Sequence, residues 1–216
     1  MDFQDFLQYV PNLIPVELPA ELSHVKMAPK ERIQALKNLD VESKNPRIAA
    51  VMMLFYPKKG KTHLTLIVRN AYNGVHSSQI AFPGGKYEST DLDYKETALR
   101  ETNEEIGVLP EKIEIVKHFT PMYIPPSNFL VHPYLGIAKE ELSFFPDVRE
   151  VADIIELPLS VFLDDEIIIE ATLSTSYGNN ILVPAFNIQN HVVWGATAMI
   201  LSELRDVLRF TFSEKS

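Results

Sequence analysis

At 216 residues, 46% of them hydrophobic and 23% charged, the chain has the size and balance of one globular domain of generous length, which excludes a largely disordered chain and disfavours two independent domains. Its formal charge of -9 excludes the clustered cationic footprint of a DNA or long-RNA binder, so no nucleic-acid partner is expected, and an anionic substrate would need bound divalent cations to invert the local field. The absence of cysteine excludes disulfides, thiolate metal sites and a cysteine nucleophile.

The first stretch, "MDFQDFLQYVPNLIPVELP", has no basic leader region and carries acids within its apolar run, so it does not read as a signal peptide. No run approaches the ~18 apolar residues of a membrane span. The final "SEKS" is not a peroxisomal Ser-Lys-Leu address. The expectation is a cytoplasmic protein without a membrane partner. Helical patterns around Phe3 to Leu13 and Pro29 to Leu39, separated by "PVELPAEL", predict a helical N-terminal arm over 1–45. "ESKNPR" is the predicted linker, because Asn45 and Pro46 favour turn or extended backbone, and the main domain is expected over 46–216.

"IAAVMMLFY" and "HLTLIVR", joined by the turn "PKKGKT", predict adjacent strands. Asp93, with Glu96 three residues on, starts a helix that Gly107 and Pro110 stop, giving Tyr94 to Ile106. Further strands are predicted in "IEIVKHF", "LVHPYLGIA", "EVADIIEL", "EIIIEATL" and "ILVPAFNI", and a last helix over Trp194 to Leu208. Many strands with few helices suggest a mixed sheet flanked by helices, in the α+β or α/β class.

On the Tyr94 to Ile106 helix, Ala98, Leu99, Thr102 and Ile106 form an apolar stripe, while Glu101, Glu104 and Glu105, at i, i+3 and i+4, are expected to share another face. Each like-charge pair costs only about 0.2–0.5 kcal/mol, so a solvated acidic face is one reading. The Gly84-Gly85 turn upstream supports another, because close backbone approach and an exposed carbonyl, joined to three carboxylates, are hard oxygen donors of the kind Mg²⁺ or Mn²⁺ prefers. Arg100 could hold Asp91 in a planar pairing and tie this loop to the helix.

These residues resemble the Nudix hydrolase signature. Gly85 begins it, Asp91 stands where the first Glu is usual, and "RETNEEIG" supplies the Arg-Glu-x-x-Glu-Glu-x-Gly, with one residue more than the common spacing between Gly85 and Arg100. The coenzyme A diphosphatases of that superfamily often share the extra residue. Upstream, Arg69, His76, Gln79, Phe82, Pro83, Gly84 and Gly85 resemble that subfamily's second motif, with Ser78 where Gly is usual; "IPPSNFLVHPYLG" and "WGATA" also resemble subfamily segments.

The resemblance implies a Nudix-like α/β/α sandwich with a mixed β-sheet, and metal-dependent hydrolysis of the diphosphate of coenzyme A or its thioesters. The products would be 4'-phosphopantetheine, free or acylated, and adenosine 3',5'-bisphosphate. The alternatives are a Nudix hydrolase of ADP-ribose or dinucleotides and a catalytically silent nucleotide sensor. It implies Glu104 and Glu105 as ligands of Mg²⁺ or Mn²⁺, Glu101 as ligand or water-activating base, Arg100 in the catalytic group, and the Gly85 carbonyl as a further ligand. Arg69, His76 and Gln79 are the implied substrate-binding residues. Glu150 is the candidate outlying metal ligand, in competition with Glu140, Glu141, Glu156 and a plain solvated role. Lys58, Lys59 and Lys61 read as a solvated turn before a phosphate site, and Trp194 as a core anchor before a base-stacking platform. A homodimer is left open.

Overall fold

The computed structural model describes residues 1–36, 39–70, 79–176 and 178–213. His76 and Ser78, expected in the substrate motif, lie outside the described residues. The chain begins with short helices, α1 (Phe3–Leu7), α2 (Val10–Leu13), α3 (Glu21–His24) and α4 (Lys30–Leu36). The strands β1 (Arg47–Lys58), β2 (Lys61–Arg69), β3 (Ile80–Ala81) and β4 (Gly84–Lys86) follow, then α5 (Tyr94–Ile106). After it come β5 (Glu114–His118), β6 (Met122–Ile124), β7 (Phe129–Ile137), β8 (Val151–Pro158) and α6 (Leu159–Phe162). The last elements are β9 (Ile168–Thr175), β10 (Gly178–Ile188), β11 (His191–Val193) and α7 (Gly195–Ser213).

Among the described residues, β1 to β8 form one mixed sheet in which β1 pairs antiparallel with β2 and β4 and parallel with β7. Because β1 is central, both its faces are buried and its sequence is an unbroken apolar run. Its alternate residues serve two cores. Ala50, Met52, Leu54 and Tyr56 pack with Ala98 and Ile106 of α5, while Met53 and Phe55 pack with Phe6 of α1 and Leu204 of α7. This is the expected α/β/α layering. A second sheet, β11-β10-β9, is separate from the first and antiparallel throughout.

The N-terminal helices share the main core: Phe3, Phe6 and Leu13 are fully buried with Leu64 and Leu208. Polar fastenings hold them there. The Lys117 ammonium donates to the carbonyls of Leu13, Ile14 and Val16 at 3.2, 2.8 and 2.6 Å, meeting acceptors that short α2 leaves open. Glu203, wholly buried in α7, accepts from Ala20 N–H at 2.9 Å and from the Thr120 hydroxyl at 2.6 Å, with His24 Nε2 3.3 Å from its other oxygen. Ser202 Oγ donates to the Ser23 carbonyl at 2.8 Å. Among the described residues no helix is long and apolar enough to cross a membrane.

Removing the Glu203 carboxylate would leave the Ala20 N–H and the Thr120 hydroxyl without their acceptor in the interior. Glu203→Ala is therefore expected to lower folding stability by about 3 kcal/mol, and Glu203→Gln by less, read as shifts of the midpoint in urea denaturation.

Candidate active site

α5 has the bounds its end signals predict: the Asp93 carboxylate accepts from Glu96 N–H at 2.8 Å, and Gly107 closes the helix in the left-handed conformation at φ 73°. Its three acids do not share one solvated face. The Glu104 side chain is 57% exposed, Glu101 14% and Glu105 only 2%, so the series runs from solvent into the core. Glu105 joins Thr97, Ala98, Thr102 and Ile106 on the buried side.

A buried carboxylate needs donors. Glu105 finds the Gly84 N–H at 2.8 Å and the Arg69 guanidinium at 3.1 Å, which fastens α5 to β4 and to the end of β2. Burial nevertheless pushes its pKa up to about 7, against the pull of Arg69 and the Gly84 N–H, and the charges of Glu101 and Glu150 act in the same upward direction. Burial also raises the Glu101 pKa, with Arg100 opposing and Glu104 and Glu150 adding to it.

Arg100 organises the remaining acids. It forms the planar pairing with Asp91 through Nε and Nη2 at 2.8 and 3.0 Å; Nη2 also donates to the Lys86 carbonyl at 3.1 Å, and Nη1 reaches Glu101 at 2.9 Å and Glu104 at 3.0 Å. Asp91 also accepts from Thr97 Oγ1 at 2.9 Å and Glu88 N–H at 3.0 Å, and the Arg100 hydrogen bonds hold its carboxyl well below the usual range. The two glycines are forced for different reasons. A Cβ on Gly84, at φ 152°, would lie 2.3 Å from the Ala50 carbonyl oxygen, whereas one on Gly85 would lie 2.3 Å from Glu101 Oε2.

Glu150 ends the turn before β8, and its carbonyl accepts from Asn70 N–H at 2.8 Å. Its competitors are engaged elsewhere: Glu140 with Lys112 at 2.8 Å, Glu141 with Lys59 N–H at 2.6 Å, and Glu156 with Lys58 at 2.6 Å and the Tyr56 hydroxyl. Lys58 thus faces an acid on the far side of the sheet hairpin.

Arg69, Gln79, Gly84 and Gly85 open onto a cleft of about 420 Å³. Its floor is apolar, from Ala49 and Val51 of β1 and Phe129 and Val131 of β7. Trp194 is half-buried and lines this cleft, so it is not the enclosed core anchor expected from its place before a helix. Arg32 of α4 also lines it, and no sequence signal singled that residue out. The cation carried by Arg69 is shared with Glu105, a pairing between residues 36 apart that spacing could not show.

The groups that meet here are oxygen donors: Glu101 packs against the Gly85 backbone, Arg100 holds Glu101 and Glu104 together, and the charges of Glu101 and Glu150 act on Glu105. That set suits a hard divalent cation such as Mg²⁺ or Mn²⁺. Among the described residues no three such side chains form a ready cation cage, consistent with Arg69 and Arg100 engaging Glu101, Glu104 and Glu105.

The NUDIX domain model matches residues 46–168. The chain is 34% identical over 170 residues to the Nudix hydrolase NudL of Photorhabdus laumondii, covering 75% of this chain and 85% of that one. It is 28% identical over 157 residues to the mouse peroxisomal coenzyme A diphosphatase NUDT7, covering 70% of this chain and 66% of that one. Among solved structures it superposes on the Nudix hydrolase RenU of M. smegmatis with a TM-score of 0.53 at 15% identity, covering 76% of this chain and 87% of that chain. This last likeness concerns the fold alone.

The two glycines separate stability from site geometry. Gly84→Ala, meeting backbone in a left-handed conformation, is expected to cost at least ~2 kcal/mol in urea denaturation. Gly85→Ala meets a side chain rather than backbone, the Glu101 carboxylate that Arg100 holds, and should shift the midpoint less than Gly84→Ala does.

Proposed function

Since the chain belongs to the Nudix family, whose hydrolases cut diphosphate bonds, we propose that its substrate is coenzyme A or a coenzyme A thioester, cleaved between the two phosphates. The observation that carries this reading is the junction of Arg69, Gly84 and Glu105, which locks the segment resembling the coenzyme A diphosphatase motif onto the helix bearing the Nudix acids. The likeness to the mouse coenzyme A diphosphatase supports it.

Glu104, Glu105 and the Gly85 carbonyl are the residues that would hold Mg²⁺ or Mn²⁺, with Glu150 as outlying ligand. Such an ion, when bound, lowers the pKa of water and neutralises phosphate oxygens. Glu101 stands against the Gly85 backbone with its proton affinity raised by burial, which suits it to receive the proton of the attacking water. The water oxygen bonds to phosphorus as the bridging P–O bond breaks, and the departing phosphate leaves on the other half of the substrate. Arg100 keeps Glu101 and Glu104 directed to one side of the helix through this sequence. Arg69 positions Glu105 and, from the cleft wall, faces the substrate beside Gln79. His76 belongs to the same proposed substrate-binding group.

Glu104→Gln and Glu105→Gln are expected to lower kcat by about two orders of magnitude or more, with circular dichroism unchanged for Glu104→Gln, the exposed position. Full activity in both would sink the metal assignment. The unmodified enzyme should show a higher kcat/KM for coenzyme A than for ADP-ribose with the same metal, product masses locating the cut. A preference for ADP-ribose would remove coenzyme A and retain the hydrolase. Arg69→Ala should lower kcat for both substrates, because it frees Glu105, whereas Lys59→Ala should change neither.

A further inference from the structure

Alternate residues of β1 face opposite layers. Ala50 and Met52 pack under α5, so Ala49 and Val51 turn to the side of α7, where both line the cleft. The register fixes their place relative to the glycine turn: Val51 pairs with Gly84, and Ala49 pairs with Val131 of β7, which also lines the cleft. A group that leaves the Gly84-Gly85 turn along this side of the sheet therefore meets aliphatic carbon first. Trp194 stands on the wall of the same cleft, and its backbone is held on both sides. Val193 before it is buried and pairs with Phe186 of β10, and three residues on the Thr197 hydroxyl donates to the Ile80 carbonyl at 3.0 Å. Gly195, at φ 66°, turns the chain from β11 into α7 with the left-handed backbone that glycine adopts without strain. Trp194 itself is left half-buried with the cleft before it, and Ile200 adds carbon from the next turn of α7.

From this placement we infer that Trp194 is a specificity-determining residue that packs against the pantetheine arm of the substrate, so that the adenosine half binds outside this cleft. The inference rests on the coenzyme A reading. The two groups joined by that diphosphate differ from their first atoms. The adenosine side begins with a ribose that carries a hydroxyl and a further phosphate, and stripping water from these over alkyl side chains is costly. The pantetheine arm begins with a methylene and a carbon bearing two methyl groups, then continues as an uncharged chain. Burial of that carbon against Val51, Ala49 and an indole is favourable.

Trp194 is the only tryptophan in the chain, so its fluorescence reports on the cleft directly. Adding 4'-phosphopantetheine to the unmodified protein is expected to shift the emission to shorter wavelength, and adenosine 3',5'-bisphosphate over the same range to leave it unmoved. In the hydrolysis of coenzyme A, Trp194→Ala should raise KM and the inhibition constant of 4'-phosphopantetheine about tenfold, the effect of about two buried methylenes. The same change should alter kcat and inhibition by adenosine 3',5'-bisphosphate by no more than about twofold. Trp194→Phe should restore most of the loss, and if Trp194→Ala does not fold, the emission of the unmodified protein decides alone. Emission that responds to adenosine 3',5'-bisphosphate as strongly as to 4'-phosphopantetheine, or more, would overturn the inference and make Trp194 a platform for the base. Hydrolysis of coenzyme A with emission unmoved by either product, or equal weakening of both inhibitors in Trp194→Ala, would overturn it and leave the coenzyme A reading intact. No hydrolysis of coenzyme A by the unmodified protein would overturn that reading and this inference with it.

Discussion

Glu105 is a carboxylate in a place where water cannot solvate it, and its need for donors ties three elements together. The Gly84 N–H comes from β4, the Arg69 guanidinium from the end of β2, and the acid from the last turn of α5. Each donor has its own requirement. Gly84 can present its N–H only because β4 lies so close to β1 that no Cβ fits against the Ala50 carbonyl. Arg69 reaches Glu105 only because β2, paired with both β1 and β8, ends beside the turn that carries Glu150. Uniform packing of α5 on the sheet would have favoured an apolar residue here. The acid is compatible with folding because its donors are delivered by backbone pairing, at an elevated pKa that records the remaining desolvation.

The rest of the acidic helix is arranged around this buried end. Going towards solvent, Glu101 and Glu104 share Arg100, and Arg100 is itself fixed by Asp91, which Thr97 and the Glu88 N–H hold in turn. Repulsion among three acids on one helix is thereby converted into an ordered set of carboxylates, each oriented by a cation on a rigid element. The apolar neighbours contribute by position. Ala98 and Ile106 dock α5 on Ala50, Met52 and Leu54 of the central strand, which fixes the helix that carries the acids.

Much of this was legible in the sequence because local chemistry dictated it. Asp93, Glu96 and Gly107 mark the ends of α5 through backbone donors and a positive φ, requirements that hold in any tertiary setting. The long apolar run of β1 and the Lys-Gly turn after it declare two strands in the same way. The pairing of Arg100 with Asp91 was legible because Asp91 lies in the loop that leads into α5, close in sequence to Arg100 on that helix. What the sequence did not carry is which side of α5 meets the sheet at each acid: Glu105 has the same residue type as Glu104, and only the long-range donors make it the buried one. Trp194 was misjudged for a related reason, since a helix start implies nothing about whether the adjacent surface is core or cleft. The separate β9 to β11 sheet shows the same limit, because alternation identifies strands without naming their partners.

The helix α7 links these levels. Its first turn, at Gly195 to Thr197, lines the cleft, and Thr197 Oγ1 donates to the Ile80 carbonyl at 3.0 Å, just ahead of the Gly84-Gly85 turn. Two turns on, Glu203 and Ser202 fasten Ala20, Ser23 and His24 of the N-terminal helices, and those helices lead directly to Pro29 and Arg32 on the opposite cleft wall. The N-terminal segment is therefore inseparable from the site in two respects. Its Phe3, Phe6 and Leu13 complete the core under β1, and its α4 completes the wall of the cleft. The strand and helix contacts around Glu105 lie within the matched residues 46–168. Segments on either side of that match line the same cleft, at Pro29 and Trp194 among others, so its wall can vary while the acid cluster and its donors stay fixed.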